Sequence, residues 1–315
     1  MTLMTEPADF IRIAEAPVPE GAEAFYLPTP DNARLRVAAF PVDDAVGTVL
    51  LLTGWSEFIE KYMEVVADLQ ARRFNVAMMD WRGQGLSDRL LPIREKGHIL
   101  SFGTHAEDLK YVAENFVRQR FPGKLSVMAH SMGGAITLLA LSDGYSAFDR
   151  AIFSSPMTRI FPQRWKRIIV RSLAATGCAL GASRVSIPFV KEHARKFEGN
   201  NLTHDQRRHT MYRKLLDAAP NAALHGPTFG WVNAATEAVG RLNRQGALSG
   251  VKIPVKMVSA GNDQTVDGRN ASRLARQYDA LETVVIKGGY HELLMEDDRY
   301  RDQFWSEFDS FFAAS

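Results

Sequence analysis

Short apolar runs alternate with segments of helical periodicity along most of the chain. Six runs are typical of buried strands: GTVLLLTG (47–54), FNVAMMD (74–80), LSVMAH (125–130), RAIFSSP (150–156), IPVKMVSAG (253–261) and TVVIKGG (283–289). Continuous apolar runs, as opposed to alternating ones, indicate parallel strands that are covered on both faces. Helical segments lie between them, as in residues 107–121, where one face carries Leu109, Val112, Ala113 and Phe116. The pattern predicts an α/β fold with a mostly parallel sheet flanked by helices.

Two segments, one before and one after these strands, predict other elements: a hairpin and a terminal helix. The segment AFYLPTPDNARLRVAAF (24–40) predicts two strands around Asp31 and Asn32, which together form an antiparallel hairpin leading into the sheet. Near the C-terminus, aromatic residues recur at helical spacing and predict a packed terminal helix; they are Tyr300, Phe304, Phe308, Phe311 and Phe312.

The alternation stops between Thr158 and about Ser249, where no strand-like run is present and basic and aromatic helical stretches take its place. We interpret residues 158–249 as a mainly helical cap inserted into the fold. The core of the fold then consists of residues 1–157 and 250–315. The apolar stretch WKRIIVRSLAATGCALGASRVSIPFV is interrupted by Arg171 and Arg184, which favours a half-buried amphipathic element over a membrane span. It lines a channel for an apolar chain or, as we favour, forms the core of the cap.

Composition excludes several classes of protein. Apolar residues make up 46% of the 315 positions, enough for a sizeable core, and the net charge of +2 argues against a nucleic-acid partner. Cys178 is the only cysteine, which excludes an intrachain disulfide and fits a reducing compartment. With no secretory signal pattern and no long uncharged apolar window, we expect a cytoplasmic protein. The sequence does not indicate an oligomeric state.

No cofactor or metal is implied. The sequence has no glycine-rich phosphate loop and no dinucleotide fingerprint, because GQG at 83–85 lacks the third glycine. His204 and His209 are five residues apart, a poor helical spacing for shared metal ligation.

A serine stands where a strand runs directly into a helix, in LSVMAHSMGGAITLLAL (125–141). Small residues two before and two after Ser131, Ala129 and Gly133, allow the sharp turn that projects a nucleophilic serine above the sheet edge. The alternative is that Ser131 only caps the helix that follows. A serine nucleophile also needs a base, a group that orients this base, and donors for the oxyanion.

Each of these partners has a candidate. His291 follows the last predicted strand, where a base is expected, although a solvated loop histidine is the simpler interpretation. Asp263 comes directly after the preceding strand, and we prefer it to Asp267, which a helix N-cap would explain. The backbone N–H groups of Met132 and Trp55 are the predicted oxyanion donors, with Gly54 allowing the close turn before Trp55.

Four motifs together carry a resemblance to a known family: MAHSMGGAIT, MDWRGQGLSDR, TGWSEFIEKY and KGGYHELLMEDD. From about residue 24 onward the chain resembles the α/β-hydrolase fold, and in particular the bacterial lysophospholipase L2 and monoacylglycerol lipase family. The resemblance implies a nucleophile at Ser131, an acid at Asp263, a base at His291 and an oxyanion hole at the backbone of Trp55 and Met132. The lipases usually carry histidines where this chain has Thr53 and Phe58, so the lysophospholipase branch is the nearer one.

The expected activity is therefore hydrolysis of the carboxylic ester of a single-chain lipid, most directly a lysophospholipid, through an acyl-enzyme. Alternatives within the fold are a monoacylglycerol lipase, a general carboxylesterase and a carbon–carbon hydrolase. A non-catalytic lipid-binding protein on the same scaffold is the alternative from another class.

Positive charge is concentrated in the predicted cap. Residues 159–214 contain thirteen lysines and arginines against three acidic residues. One interpretation is attraction to an anionic membrane surface or to a substrate phosphate. The other is a solvated helix face, which charge runs usually are.

Overall fold

A nine-stranded sheet forms the centre of the protein in the computed structural model, which describes residues 5–187 and 196–313. Its strands are β1 (Glu6–Ala8), β2 (Glu23–Pro28), β3 (Arg34–Phe40), β4 (Gly47–Leu52), β5 (Phe74–Met79), β7 (Leu125–His130), β8 (Ala151–Ser154), β10 (Val255–Ala260) and β11 (Leu281–Ile286). Their spatial order is β1-β2-β3-β5-β4-β7-β8-β10-β11. The six strands from β5 to β11 in this order are parallel, and β1, β2 and β3 are joined antiparallel at one edge.

Helices cover both faces of the sheet. They are α1 (Met63–Ala71), α2 (Phe102–Val112), α3 (Arg118–Arg120), α4 (Met132–Ser142), α5 (Arg164–Ala179), α6 (Gln206–Ala218), α7 (Phe229–Leu242), α8 (Arg269–Ala275) and α9 (Asp298–Ala313). One core contains side chains of α2, α4, α7 and α8, and a second core contains those of α1, α6 and α9. Continuous apolar strands therefore face side chains on both sides, as their sequence pattern predicted.

The predicted core elements are present with small shifts at their ends. The last strand ends at Ile286, three residues earlier than expected, because Gly288 has φ of 84° and lies in the turn that follows. The hairpin of residues 24–40 is confirmed as β2 and β3, and the aromatic terminal helix as α9. The short edge strand β1 was not predicted. A π-helical turn at Ala113–Val117 interrupts the helix predicted over residues 107–121.

The described part of residues 158–249 contains α5, α6 and α7. The expectation that no strand lies there was wrong in one detail, because β9 (Gly226–Pro227) pairs in parallel with β6 (Lys96–Gly97) of a core loop. The cap-core interpretation of the apolar stretch is also wrong for α5, since Ala174 is the only buried residue of this helix. The end of that stretch, residues 188–190, lies outside the described residues. No helix of the described ranges combines the length and apolarity needed to cross a bilayer.

Candidate active site

Ser131 occupies a sharp turn between β7 and α4. Its φ of 49° lies in the left-handed region, where a residue with a side chain is strained. The turn brings backbone segments so close that a Cβ on Gly133 would lie 2.7 Å from the carbonyl oxygen of Thr53. Glycine is therefore required at position 133. The capping alternative for Ser131 is wrong, because its side chain makes no capping hydrogen bond to α4.

The structure brings Ser131, His291 and Asp263 together in one hydrogen-bonded chain. His291 Nε2 lies 2.9 Å from Ser131 Oγ, and His291 Nδ1 lies 2.6 Å from Asp263 Oδ2. These residues follow β7, β11 and β10, whose carboxyl ends meet at the same edge of the parallel sheet. With Nδ1 donating to the carboxylate, Nε2 is free to accept the serine proton, which is the requirement for an activated hydroxyl.

The charges around His291 favour an imidazole that accepts a proton and holds it. Burial alone would lower the pKa of His291, but the nearby carboxylates, Asp263 first and then Glu292 and Glu57, raise it above the usual value. Burial would raise the pKa of Asp263, yet His291 and the N–H groups of Val266 and Thr265 lower it overall. The carboxylate is thus held ionised beside the ring that it orients.

Asp267, the alternative acid, has a different environment. The partner of His291 is Asp263 and not Asp267. Asp267 is also not the N-cap residue of α8, because Gly268 occupies that position. The Asp267 carboxylate accepts a hydrogen bond from Arg269 Nε at 3.1 Å and lies 3.7 Å from Arg159 Nη1. The structure therefore favours Asp263, and the N-cap interpretation of Asp267 is wrong.

A buried ion-pair cluster supports the loop that precedes α1. Lys61 Nζ lies 2.6 Å from Glu57 and 2.8 Å from Glu292, the residue after His291. Glu57 also accepts hydrogen bonds from the hydroxyl of Tyr62 and from the backbone N–H of Gly54. Lys61, Tyr62 and His130 outweigh the effect of burial and lower the pKa of Glu57 to about 2. The cluster therefore connects the predicted oxyanion loop to the loop that carries His291.

Sequence reasoning missed this cluster as a unit. Its signal was the spacing of Glu57 and Lys61, which stand four residues apart, the spacing of an ion pair on a helix, although Glu57 lies just before the helical turn Ile59–Tyr62. Gly54 is explained by the same cluster, because a Cβ there would lie 2.8 Å from Glu57 Oε2 and 3.0 Å from the His130 ring.

His130 was also missed. Its ring centre lies 4.8 Å from that of His291, and burial lowers its pKa to about 4. It therefore stays neutral at physiological pH, and its Nδ1 lies 3.1 Å from the carbonyl oxygen of Ser154. A charged neighbour at this position would oppose the imidazolium that forms on His291 during proton transfer.

The predicted oxyanion donors stand at the expected places in the chain. Met132 is the first residue of α4, so its N–H belongs to the first turn, where amides lack an intrahelical acceptor. Trp55 lines the same pocket as Ser131 and His291. Gln84 links the two segments, since its side chain accepts a hydrogen bond from the Ser56 N–H at 2.5 Å and contacts Met132 Sδ at 3.6 Å.

The pocket in front of Ser131, which we call the catalytic pocket, is mainly apolar. Its volume is about 210 Å³. The apolar lining comes from the core and from the inserted segment together, with Met157, Ile160, Leu173, Ile187, Leu202 and Trp231 among its residues. Leu173 of α5 thus contributes to the pocket, in agreement with the channel interpretation of this stretch. Such a lining suits the hydrocarbon part of a substrate.

Fold and geometry define the class of protein as a serine hydrolase of the α/β-hydrolase fold. The family model described as serine aminopeptidase, S33, matches residues 43–298, and the chain belongs to this hydrolase family. Among curated proteins, the chain is 30% identical over 295 residues to lysophospholipase L2 of Escherichia coli K12, an alignment that covers 86% of this chain and 82% of the relative. It is 28% identical to a probable lysophospholipase L2 of Haemophilus influenzae, with 80% and 79% covered.

Solved structures show the same fold at lower identity. A soluble variant of monoglyceride lipase from Saccharomyces cerevisiae superimposes with a TM-score of 0.75 at 20% identity, covering 94% of this chain and 97% of that one. A thermostable carboxyl esterase from Bacillus coagulans gives a TM-score of 0.72 at 14% identity, with 94% and 99% covered. At these identities the likeness is one of fold.

Proposed function

We propose that this protein hydrolyses the carboxylic ester of a single-chain lipid, with a lysophospholipid as its substrate. The observation that carries the proposal is the hydrogen-bonded chain from Asp263 through His291 to Ser131 at the end of an apolar pocket. The similarity to lysophospholipase L2 supports the choice of substrate.

In the proposed reaction Ser131 Oγ attacks the ester carbonyl while His291 Nε2 takes its proton. Asp263 holds the imidazole in the productive tautomer and stabilises the imidazolium. The N–H groups of Trp55 and Met132 stabilise the tetrahedral oxyanion, which is usually a large part of such catalysis. His291 returns the proton to the leaving alcohol, and water then releases the fatty acid from the acyl-enzyme.

The family description includes a peptidase, but the catalytic pocket favours an ester. An aminopeptidase has to bind the free ammonium group of its substrate, and an unpaired carboxylate is the natural partner. Among the described residues that line the pocket, the carboxylates are Glu57 and Glu292, and both pair with Lys61. Neither is available to a substrate amine.

We further propose that residues 158–249 act as a cap that meets an anionic membrane surface on its cytoplasmic side. Helix α5 exposes large apolar side chains, with Trp165 61%, Ile168 54% and Leu173 53% accessible. The same helix carries four basic residues and no acidic one. This combination suits a helix that lies in the lipid interface. Flotation with anionic and neutral liposomes tests this, and absence of binding at both low and high salt would exclude the contact.

The deciding experiment measures fatty-acid release from lysophosphatidylcholine and from monoacylglycerol of the same acyl chain, with wild type and Ser131→Ala. We expect release by the wild type only, with a preference for the phospholipid. A preference for monoacylglycerol would make the protein a monoacylglycerol lipase, and activity on short p-nitrophenyl esters alone a general carboxylesterase.

Two further outcomes would contradict the proposal more deeply. Labelling of Ser131 by a fluorophosphonate without release of fatty acid would point to another bond, such as the carbon–carbon bond cleaved by some enzymes of this fold. Failure of the wild type to react with the probe would favour a non-catalytic lipid-binding protein.

A further inference from the structure

A second cavity lies beside the catalytic pocket, between α5 and α7. Its volume is about 400 Å³. Four arginines line it, namely Arg159, Arg164, Arg167 and Arg171, and we therefore call it the arginine groove. Gly240 and Asn243 lie on its opposite side. Ile160, Phe161 and Val170 line both the arginine groove and the catalytic pocket, so the two cavities share a wall.

Positive charge in the arginine groove exceeds the negative charge around it. None of the described lining residues is acidic. Asp267 is a nearby carboxylate, at 3.7 Å from Arg159 and 3.8 Å from Arg167, and it also pairs with Arg269. Arg164 and Arg171 make no hydrogen bond or ion pair with any residue of 5–187 or 196–313. The groove therefore holds cations without a matching anion.

The basic residues of α6 provide a contrast within the same inserted segment. Arg208 pairs with Glu64, Asp205 and Asp298, and Arg207 also pairs with Glu64. Ion pairs with acids account for these charges, whereas Arg164 and Arg171 of α5 have no acidic partner within residues 5–187 and 196–313. Lys191, Glu192 and Arg195, which belong to the predicted charge run, lie outside the described residues.

The pKa of Arg159 is affected by the same excess of positive charge. Its side chain is about three-quarters buried, and burial together with the positive charges of Arg273 and Arg167 lowers its pKa. An anion in the groove would relieve this repulsion. Arginine is suited to the task because its planar fork donates two parallel hydrogen bonds to phosphate oxygens.

We propose that the arginine groove binds a phosphate group, that of the substrate's headgroup, while the catalytic pocket holds the acyl ester. The inference rests on the proposed function, because it supplies the feature by which a lysophospholipid differs from a monoacylglycerol. In a lysophospholipid the same glycerol unit carries the ester and the phosphate, which fits two cavities that share a wall. A monoacylglycerol places no anion in the groove.

The test compares Arg164→Gln/Arg171→Gln with Lys166→Gln/Arg184→Gln, a control that removes the same charge from α5 and the segment after it, outside the groove. Hydrolysis of lysophosphatidylcholine and monoacylglycerol of equal chain length is measured in neutral detergent micelles at constant ionic strength. We expect kcat/KM for the phospholipid to fall about 10- to 100-fold, mainly through KM, because charged hydrogen bonds to the bound substrate are lost.

Monoacylglycerol hydrolysis should stay within about twofold in all variants, since that substrate carries no charge for the groove to bind. Arg164→Lys/Arg171→Lys should show an intermediate loss, because lysine keeps the charge without the fork. Equal losses on both lipids, or the same selective loss in the control variant, would overturn the proposal. Losses that occur only on anionic vesicles would also overturn it, because the groove would then contact the membrane and not the substrate.

A binding arm separates this inference from the proposed function. Calorimetric titration with inorganic phosphate and glycerol 1-phosphate should show binding to the wild type and the control, and none to Arg164→Gln/Arg171→Gln. If the wild type does not hydrolyse lysophosphatidylcholine but this difference in binding is found, the proposed function fails and the site stands with free phosphate as its ligand. Absence of both the binding difference and the selective kinetic loss excludes the site.

Discussion

The three residues Ser131, His291 and Asp263 differ from helix α5 in how completely their polar and charged side chains are paired with other side chains of the described structure. Ser131, His291 and Asp263 are held by strand ends, buried, and hydrogen-bonded to one another. Helix α5 buries only Ala174, exposes Trp165, and carries Arg164 and Arg171, which pair with no residue of the described ranges. The difference teaches that the core has its polar partners built in, whereas two arginines of α5 have none among the described residues. We therefore expect mutations in the core to abolish the reaction and mutations in α5 to change the choice of substrate.

The largest expected effect concerns the acid of the core. Asp263→Asn should lower kcat by about 10⁴-fold, because the amide favours the wrong imidazole tautomer. Asp267→Asn is the matched control, since it removes a carboxylate four residues away that does not contact His291. Steady-state kinetics of both variants checks this. Equal losses in the two variants would show that Asp263 has no special role.

The buried cluster of Lys61 offers the next largest effect. Lys61→Met should destabilise the protein by about 3–5 kcal/mol, because Glu57 and Glu292 lose the cation that compensates their burial. Lys110→Met removes an exposed pair with Glu107 and should change stability by less than about 1 kcal/mol. Urea denaturation measures both free energies of unfolding. A Lys61→Met variant as stable as the control would show that the cluster is not a structural anchor.

The dependence of activity on pH tests the electrostatics of the core. His291 has to be neutral to accept the serine proton, so kcat/KM should fall tenfold per pH unit below its pKa. The carboxylates of Asp263, Glu292 and Glu57 raise that pKa, which places the midpoint above the usual histidine value of about 6.5. A profile of kcat/KM between pH 5 and 9 gives the midpoint. A value below 6.5 would mean that burial outweighs the carboxylates.

The smallest expected effect concerns the exposed face of α5. Trp165→Ser/Ile169→Ser should weaken binding to anionic liposomes by about tenfold, because two exposed apolar side chains no longer enter the interface. Activity on lipid dispersed in neutral micelles should stay unchanged, since neither residue lines the catalytic pocket or the arginine groove. Flotation and micellar assays together check this. A loss of activity in micelles would show that the pair supports the fold of the cap.

The elements of the core were predictable because local patterns encode them. The strands follow from continuous apolar runs, and Ser131 and His291 follow from where those runs end. Asp263 could be preferred over Asp267 for the same reason, although the capping role expected for Asp267 was wrong. The oxyanion donors Trp55 and Met132 stay predictions, as do the limits of the cap at residues 158 and 249.

The sequence by itself determined the α/β order, the strand-to-helix serine and the sites of the histidine and aspartate, because each depends on neighbours close along the chain. Tertiary structure alone decided which charges have partners. Lys61 meets Glu292, and Arg208 meets Glu64, across more than a hundred residues, while Arg164 and Arg171 meet none in the described ranges. A count of charges cannot separate these cases, because the energy of an ion depends on its distance from a partner and on its burial.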